Sequence, residues 1–474
     1  MAMTDGSITG NLISFAMPLL LGNLFQQTYN IADAAIVGQT LGADALAAVG
    51  TSSSVQLMVL GFCQGLAAGF GVPVATAFGA KNETKMRKLA FNGGALTAMW
   101  SAALCVLTVL LCPAVIRVLK TPADIVTDSE TYLRIIFLGI PFTLLYNFLS
   151  AILRAIGDSR TPFYFLAFSS VLNIVLDFFC ILVLGWGVGG AALATIFSQG
   201  ISGVLCLVLI RRKFEILWIR KEEQKFRWDY ASLLMAQGVP MGLNMSITAI
   251  GSMVMQMANN SLGTVYVSAF AAGLKIKQFT MCPFDAFAAT ISTFVSQNYG
   301  AGNYERMKAG IQKGLLLSIG YGIVIGAVLW KFGRQACMLF VGEDATDILD
   351  AGALYLASIG TFYWVLGILK SLRQAVQGMA WARQAVFAGV IEMIGRTVVS
   401  VFFVSKYGYG AICWADQAAW TLGALFLIRV CKACLKHVKE DILHRSLNLA
   451  NDTEERLRAL LPGARTFPNL INIA

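Results

Sequence analysis

Long apolar stretches separated by short polar loops dominate the pattern of hydrophobic and polar positions along this chain. A helix needs about 20 mostly apolar residues to cross the hydrocarbon core of a bilayer. Twelve stretches reach that length, at about 12–38, 46–79, 89–112, 132–153, 162–185, 188–210, 231–260, 266–297, 311–330, 353–376, 384–405 and 410–431. The pattern predicts an all-α polytopic membrane protein with twelve transmembrane helices.

Composition supports a lipid-facing exterior. Of the 474 residues, 57% are hydrophobic and only 13% are charged, whereas an ordinary soluble protein has about 25% charged residues. The net charge of +10 comes from basic residues in short clusters between the apolar stretches. This placement is typical of membrane topology and argues against nucleic-acid binding. Ten scattered cysteines show no disulfide framework.

Loop charge predicts the orientation in the membrane. One set of alternate loops holds eighteen Lys and Arg residues, Arg373 among them, and the opposite set holds five. Basic loops stay in the cytoplasm, so both termini are predicted to be cytoplasmic in a multi-pass protein of the cell membrane. The polar N-terminal residues 1–11 show no cleavable signal peptide.

The two halves of the chain repeat each other with an offset of about 221 residues. Landmarks that recur are Pro18 with Pro240, Leu41-Gly42 with Leu262-Gly263, and Gly157 with Gly378. Six spans per repeat make the repeats parallel, and such transporters bind substrate between the halves and alternate access by rocking. We predict an N-terminal lobe at 1–210, a cytoplasmic linker at 211–230, a C-terminal lobe at 231–435 and a cytoplasmic tail at 436–474.

Polar residues within the spans predict a cation site. Asn173 and Asp177 are four residues apart and share one face of the fifth helix, and the topology places Asp33 and Thr195 at a similar depth. Two carboxylates and two neutral oxygen donors could hold a proton or a sodium ion, because repulsion and poor hydration favour cation binding. The alternative is that the two Asp residues are unrelated and satisfied by neighbours.

Stripes of polar residues on the first and seventh helices predict a wet central cavity, although such stripes also hold helices together. The residues predicted to line it are Asn23, Gln27, Asn30, Asn244, Gln256 and Asp285. Pro18 and Pro240 each remove a helix hydrogen bond, so they are predicted to bend the helices. Glu392 and Arg396, four residues apart, are predicted to pair with each other.

The sequence resembles the multidrug and toxic compound extrusion (MATE) family. The residues that carry this resemblance are the run from Pro18 through Asn23 to Asp33, then Ile36-Val37-Gly38, the run Leu41 to Gly50, and Gln297 to Arg306. The resemblance implies two pseudo-symmetric six-helix bundles around a V-shaped central cavity, and export of lipophilic, often cationic, small molecules in exchange for H⁺ or Na⁺. It also implies a DinF-like branch, whose cation site corresponds to Asp33, Asn173, Asp177 and Thr195.

Other expectations follow from the resemblance and from the residues. The NorM-like branch uses acids where this chain has Thr248 and Leu366, so a cation site in the C-terminal lobe is doubtful. The alternative function is a flippase for lipids or lipid-linked saccharides. We expect no enzyme activity, since the confident spans contain no histidine, and no cofactor. We also expect no metal site at Cys431, Cys434, His437 and His444, and a monomer that contacts membrane lipid.

Overall fold

The protein is described here by a computed structural model that covers residues 2–118, 121 and 124–460. The described residues are almost entirely helical and contain no strand. We number the long helical units in chain order: α1 Ile8–Leu41, α2 Ala43–Gly79, α3 Glu83–Val118, α4 Val126–Leu138 plus Ile140–Ala155, α5 Arg160–Val183, α6 Gly187–Lys213, α7 Trp228–Asn260, α8 Thr264–Gly300, α9 Tyr304–Met338, α10 Thr346–Thr361 plus Tyr363–Gly378, α11 Ala382–Tyr407 and α12 Tyr409–Leu460.

The predicted membrane-spanning architecture is confirmed. Among the described residues, nine helices are long and apolar enough to cross a bilayer unaided. The two-segment units α4 and α10, bent by 45° and 52°, bring the number to eleven. The remaining unit, α8, is 37 residues long, but Lys275, Lys277 and Asp285 lower its hydropathy. We call α1–α6 the N lobe and α7–α12 the C lobe.

The helices of the two lobes repeat in the same order and with the same offset as the sequence landmarks. The units α2 and α8 begin 221 residues apart, at Ala43 and Thr264. The bends in α4 and α10 recur at matching places, and so do two π-helical turns, Phe179–Val183 in α5 and Val399–Phe403 in α11. Each lobe therefore has the same order of straight, bent and π-containing helices.

Two large hydrophobic cores lie side by side, and the first helix of each lobe reaches toward the other lobe. One core runs from Ile36 to Leu234, and the other runs from Met255 to Val438. The start of α7 belongs to the first core through Leu234. The start of α1 packs on α8, where Leu12 and Phe15 contact Phe294. The two lobes therefore exchange the ends of α1 and α7.

The lobes meet tightly at one end of the molecule, which we call the linker end because the segment between α6 and α7 lies there. A Cβ on Gly79 would overlap the backbone of Gln297, and a Cβ on Gly300 would overlap the carbonyl oxygen of Thr76. The side chain of Gln297 donates to the Ala155 carbonyl at 2.8 Å and accepts from the Met3 backbone N–H at 2.8 Å. Helix ends and a side-chain bridge therefore close this end.

The segment between α6 and α7 is anchored to the N lobe. It runs between Lys213 and Trp228, and Glu223 accepts hydrogen bonds from the Arg87 guanidinium, the shortest at 2.9 Å. Burial by itself raises the pKa of Glu223, but the Arg220 backbone N–H and the Arg87 side chain lower it below its usual range. The anchor therefore stays an ion pair at neutral pH.

One expectation about a charged residue needs correction. Arg373 was predicted to lie in a cytoplasmic loop, but it lies within α10, is buried and pairs with Glu392. The placement of Arg373 in a loop was wrong because hydropathy treats all basic residues alike. It cannot distinguish a basic residue in a loop from one that is buried beside an acidic residue of a neighbouring helix. The tail predicted from residue 436 begins inside α12, which continues as a helix to Leu460. Residues 461–474 of that tail lie outside the described residues.

Candidate cation site and central cavity

The four residues predicted to bind a cation lie together in the N lobe. Asp33 on α1, Asn173 and Asp177 on α5, and Thr195 on α6 are carried by three helices that pack on one another. The carboxyl groups of Asp33 and Asp177 are within hydrogen-bonding reach of each other. The Asn173 amide donates to the Thr195 hydroxyl at 3.4 Å. The site is thus built from two carboxyl groups, one amide and one hydroxyl.

Several oxygens in this cluster are buried without a donor among the described residues. They are Asp33 Oδ1, Asn173 Oδ1 and both carboxyl oxygens of Asp177. Buried polar atoms are normally paired, and two adjacent carboxylates repel each other unless a proton or a cation lies between them. Hard cations prefer oxygen ligands. The chemistry therefore suits H⁺ or Na⁺.

Two tyrosines near the site were not predicted as site residues. Tyr29 and Tyr132 both interact electrostatically with Asp33, and the Tyr132 hydroxyl accepts from the Gln56 amide at 3.5 Å. Tyr29 lies one helical turn before Asp33, so the i, i+4 spacing could have indicated it. Tyr132 is on α4, and no spacing along the sequence relates it to α1.

The local fold of α5 and α6 orients the site. Asp177 is completely buried and lies two residues before the π-helical turn Phe179–Val183. A π turn shifts the register of a helix and is frequent at functional sites. Thr195 is held by a hydrogen bond from its hydroxyl to the Ala191 carbonyl at 3.2 Å. That bond directs the oxygen toward Asn173.

The predicted cavity residues divide into three groups. Asn30 and Gln256 are exposed and Gln27 is half-buried, as in an aqueous space between helices. Asn23 instead spans the lobes, because its amide donates to the Cys282 carbonyl on α8 at 3.5 Å. Asn244 is buried, and its Oδ1 lies 2.5 Å from the position that a Cβ on Gly389 of α11 would take. Asn244 therefore packs against α11.

Asp285 and the prolines also have defined places. The Asp285 carboxyl is paired with Lys370, so it does not face the cavity as an isolated negative charge. Pro18 lies inside the continuous helix α1, and Pro240 lies inside α7. Both helices continue past their proline. Among the described residues, no group of three or more His, Cys, Asp or Glu side chains is placed to hold a metal ion.

Comparison with known proteins identifies the family. The family model MatE matches residues 18–179 and 240–402, one segment in each repeat. The chain belongs to the MATE family. It is 32% identical to the probable multidrug resistance protein YpnP of Bacillus subtilis, over 91% of this chain and 95% of that protein. It is 28% identical to the probable multidrug resistance protein NorM of Thermotoga maritima, over 84% and 86% of the two chains.

Solved MATE structures share the fold. An outward-facing multidrug resistance MATE transporter of the MOP superfamily superposes with a TM-score of 0.87 at 19% identity. The match covers 92% of this chain and 98% of that one. The chain is therefore a multi-pass membrane protein with the MATE transporter fold.

The C lobe of this MATE chain contains a buried charge network that was only partly predicted. Glu392 pairs with Arg373 and, at 3.8 Å, with Arg396. Arg396 in turn pairs with Asp416 at 2.8 Å, and Asp416 also pairs with Lys277. The predicted Glu392–Arg396 contact is thus the longest link of a larger network. We call these five residues the C-lobe charge network.

Proposed function

We propose that this MATE chain is a secondary active antiporter of the cell membrane that exports lipophilic, often cationic, small molecules in exchange for H⁺ or Na⁺. The observation that carries the proposal is the Asp33–Asp177 carboxyl pair, in which Asp33 Oδ1 and both Asp177 oxygens are buried without a donor among the described residues. Its relatives named as multidrug resistance proteins support the substrate class. The cluster Asp33, Asn173, Asp177 and Thr195 supports the DinF-like branch.

The proposed transport cycle uses the two lobes as rocking units. The lobes comprise residues 1–210 and 231–435, with the linker at 211–230 and the tail at 436–474. With both termini in the cytoplasm, the closed linker end faces the cytoplasm and the cavity opens outward. A cation that enters the N-lobe site neutralises the carboxyl pair, and this favours the rearrangement that reopens the linker end. The transporter works as a monomer surrounded by lipid.

The energetics are sufficient for concentrative export. One charge moving down a potential of about 100 mV releases about 2.3 kcal/mol, and a tenfold concentration ratio costs about 1.4 kcal/mol. A single H⁺ or Na⁺ can therefore drive a neutral substrate more than about tenfold uphill. Exchange of one monovalent cationic substrate for one such ion moves no net charge, so its export is driven by the concentration gradient of the coupling ion or by a second coupling ion.

The test is dye transport by the purified protein in proteoliposomes, with sodium and pH gradients imposed separately. We expect at least one gradient to accelerate transport of a cationic dye several-fold over vesicles at equilibrium. Transport that ignores both gradients would contradict antiport. Movement of a labelled lipid in the same vesicles, without dye transport, would favour the flippase alternative.

A further inference from the structure

We propose that the C-lobe wall of the cavity binds an anionic group of the substrate, with Lys275 as the contact residue. The substrates would then include zwitterionic and anionic lipophilic compounds as well as cations. This inference rests on the proposed export function, because it specifies which molecules occupy the same cavity.

The surface of α8 places Lys275 on the cavity. Lys275, Gln278 and Asp285 are exposed, whereas Lys277 between them is buried. The 37 residues of α8 make it about 55 Å long, whereas the bilayer core is about 30 Å thick. With α8 centred in the bilayer, Lys275, about 16 Å from its first residue, lies inside the core. A charged side chain facing lipid at that depth would be costly. The exposed stripe therefore faces water between the lobes.

A contact between lobes supports the same assignment. The Asn23 amide of α1 donates to the Cys282 carbonyl of α8 at 3.5 Å. Cys282 lies between Gln278 and Asp285 along the helix, so this side of α8 is directed at the N lobe. Lys275 lies about two turns from that contact, away from the closed linker end.

The charge of this wall is unbalanced. Asp285 is neutralised by Lys370, and Lys275 forms no ion pair with any residue that the structure describes. The C-lobe charge network contains three cations, Lys277, Arg373 and Arg396, but only two carboxylates. The wall and the network behind it thus carry two surplus positive charges.

Buried donors in the network also lack acceptors. Arg373 Nε and Arg396 Nη1 have no hydrogen-bond partner among the described residues, although both residues are buried. A buried cation without a full set of partners is unfavourable. An anion at Lys275 would offset this positive field, while a second cation at the same place would add to it.

The two walls of the cavity therefore have opposite polarity. The N lobe contributes the carboxylates of Asp33 and Asp177, and the C lobe contributes Lys275 in front of a net positive network. A substrate with an anionic group fits the C-lobe wall while the coupling cation occupies the N-lobe site. The two ligands then need not compete for the same carboxylates.

Equilibrium binding to the purified protein in detergent tests the inference. Rhodamine 6G and fluorescein share a xanthene ring system but carry opposite charge, so they serve as matched probes. We expect wild type to bind fluorescein, and Lys275→Gln to bind it about tenfold more weakly, as for loss of one charged contact. The affinity of Lys275→Arg for fluorescein should be within about threefold of wild type. The affinity of Lys275→Gln for rhodamine 6G should be at least that of wild type.

The control is Lys308→Gln, which removes an exposed lysine at the linker-end start of α9 and should change neither affinity. Salt should weaken fluorescein binding by wild type, and this result does not depend on any variant folding. The inference is overturned if wild type binds only rhodamine 6G, or if Lys275→Gln binds fluorescein as tightly as wild type. Binding requires no gradient, so the binding test is independent of the transport test. If fluorescein binds through Lys275 but no gradient drives transport, antiport is refuted and the inference about Lys275 stands.

Discussion

Unpaired oxygens around Asp177 determine which ions the N-lobe site can hold. A proton needs only the Asp33–Asp177 pair, whereas a sodium ion needs several oxygen ligands at once. The Thr195 hydroxyl and the Asn173 carbonyl oxygen are the neutral oxygens available beside the two carboxyl groups. We therefore expect Thr195 to matter for sodium coupling and not for proton coupling.

Substitutions at Thr195 should separate sodium coupling from proton coupling. Thr195→Val keeps the volume but removes the hydroxyl, so sodium-driven dye transport should fall about tenfold, as for loss of one contact to a charge. Transport driven by a pH gradient should stay within about twofold. Thr195→Ser, the matched control, keeps the hydroxyl and should resemble wild type in both assays. Sodium-driven transport that is unchanged in Thr195→Val would exclude Thr195 from the ion's ligands.

The sequence predicts residues of the candidate site only where spacing along one helix or the membrane topology relates them. Asn173 and Asp177 follow from an i, i+4 pair, and Asp33 and Thr195 follow from topology and depth. Tyr132 and the Arg373–Glu392 pair could not be predicted, because each depends on which helices become neighbours. The same limit explains Asn244, which packs on Gly389 of α11.

Among the structural elements, the turns between the first two helices of each lobe have a backbone conformation that requires glycine. Gly42 has φ 94° and ψ −177°, and Gly263 has φ 107° and ψ 168°. This region of backbone space is accessible essentially only to glycine. The two turns lie 221 residues apart, so the repeat preserves their backbone conformation.

Alanine at either turn should destabilise the protein to a similar degree. We expect Gly42→Ala and Gly263→Ala each to cost about 1–3 kcal/mol, seen as a lower midpoint of thermal unfolding in detergent. Gly50→Ala is the matched control, since Gly50 is helical and a Cβ there meets no atom within 4 Å. It should be neutral or slightly stabilising. Equal midpoints for all three variants would show that these turns are not strained by a side chain.

Hydropathy predicted the spans well but not the ends or breaks of the elements. The ninth span was predicted at about 311–330, yet α9 extends from Tyr304 to Met338, because helical hydrogen bonds continue beyond the apolar stretch. The bend after Leu138 has a signal in the sequence, because Pro141 lies in the first turn of the segment that follows it and removes a helix hydrogen bond. The bend after Thr361 has no proline beside it and was not predicted, since it divides a single apolar run.

In the whole molecule, the proposed cycle depends on separating contacts at the linker end while the N-lobe site changes occupancy. Gly79 and Gly300 permit α2 and α8 to approach closely there, and Gln297 joins Ala155 of the N lobe to Met3. The same helix α1 carries Asp33 near one end and packs on Phe294 of the C lobe near the other. The helix α1 thus connects the cation site mechanically to the closed end.

Gradient-driven dye transport by Asp33→Asn and Asp177→Asn in proteoliposomes tests the central claim most directly. Both variants should elute as folded protein yet lose the gradient-dependent component of transport, because an amide cannot exchange a proton and binds a cation more weakly than a carboxylate. Asp128→Asn, which alters an exposed carboxyl on α4, should transport like wild type. Full gradient-driven transport in both site variants would contradict cation coupling through the Asp33–Asp177 pair.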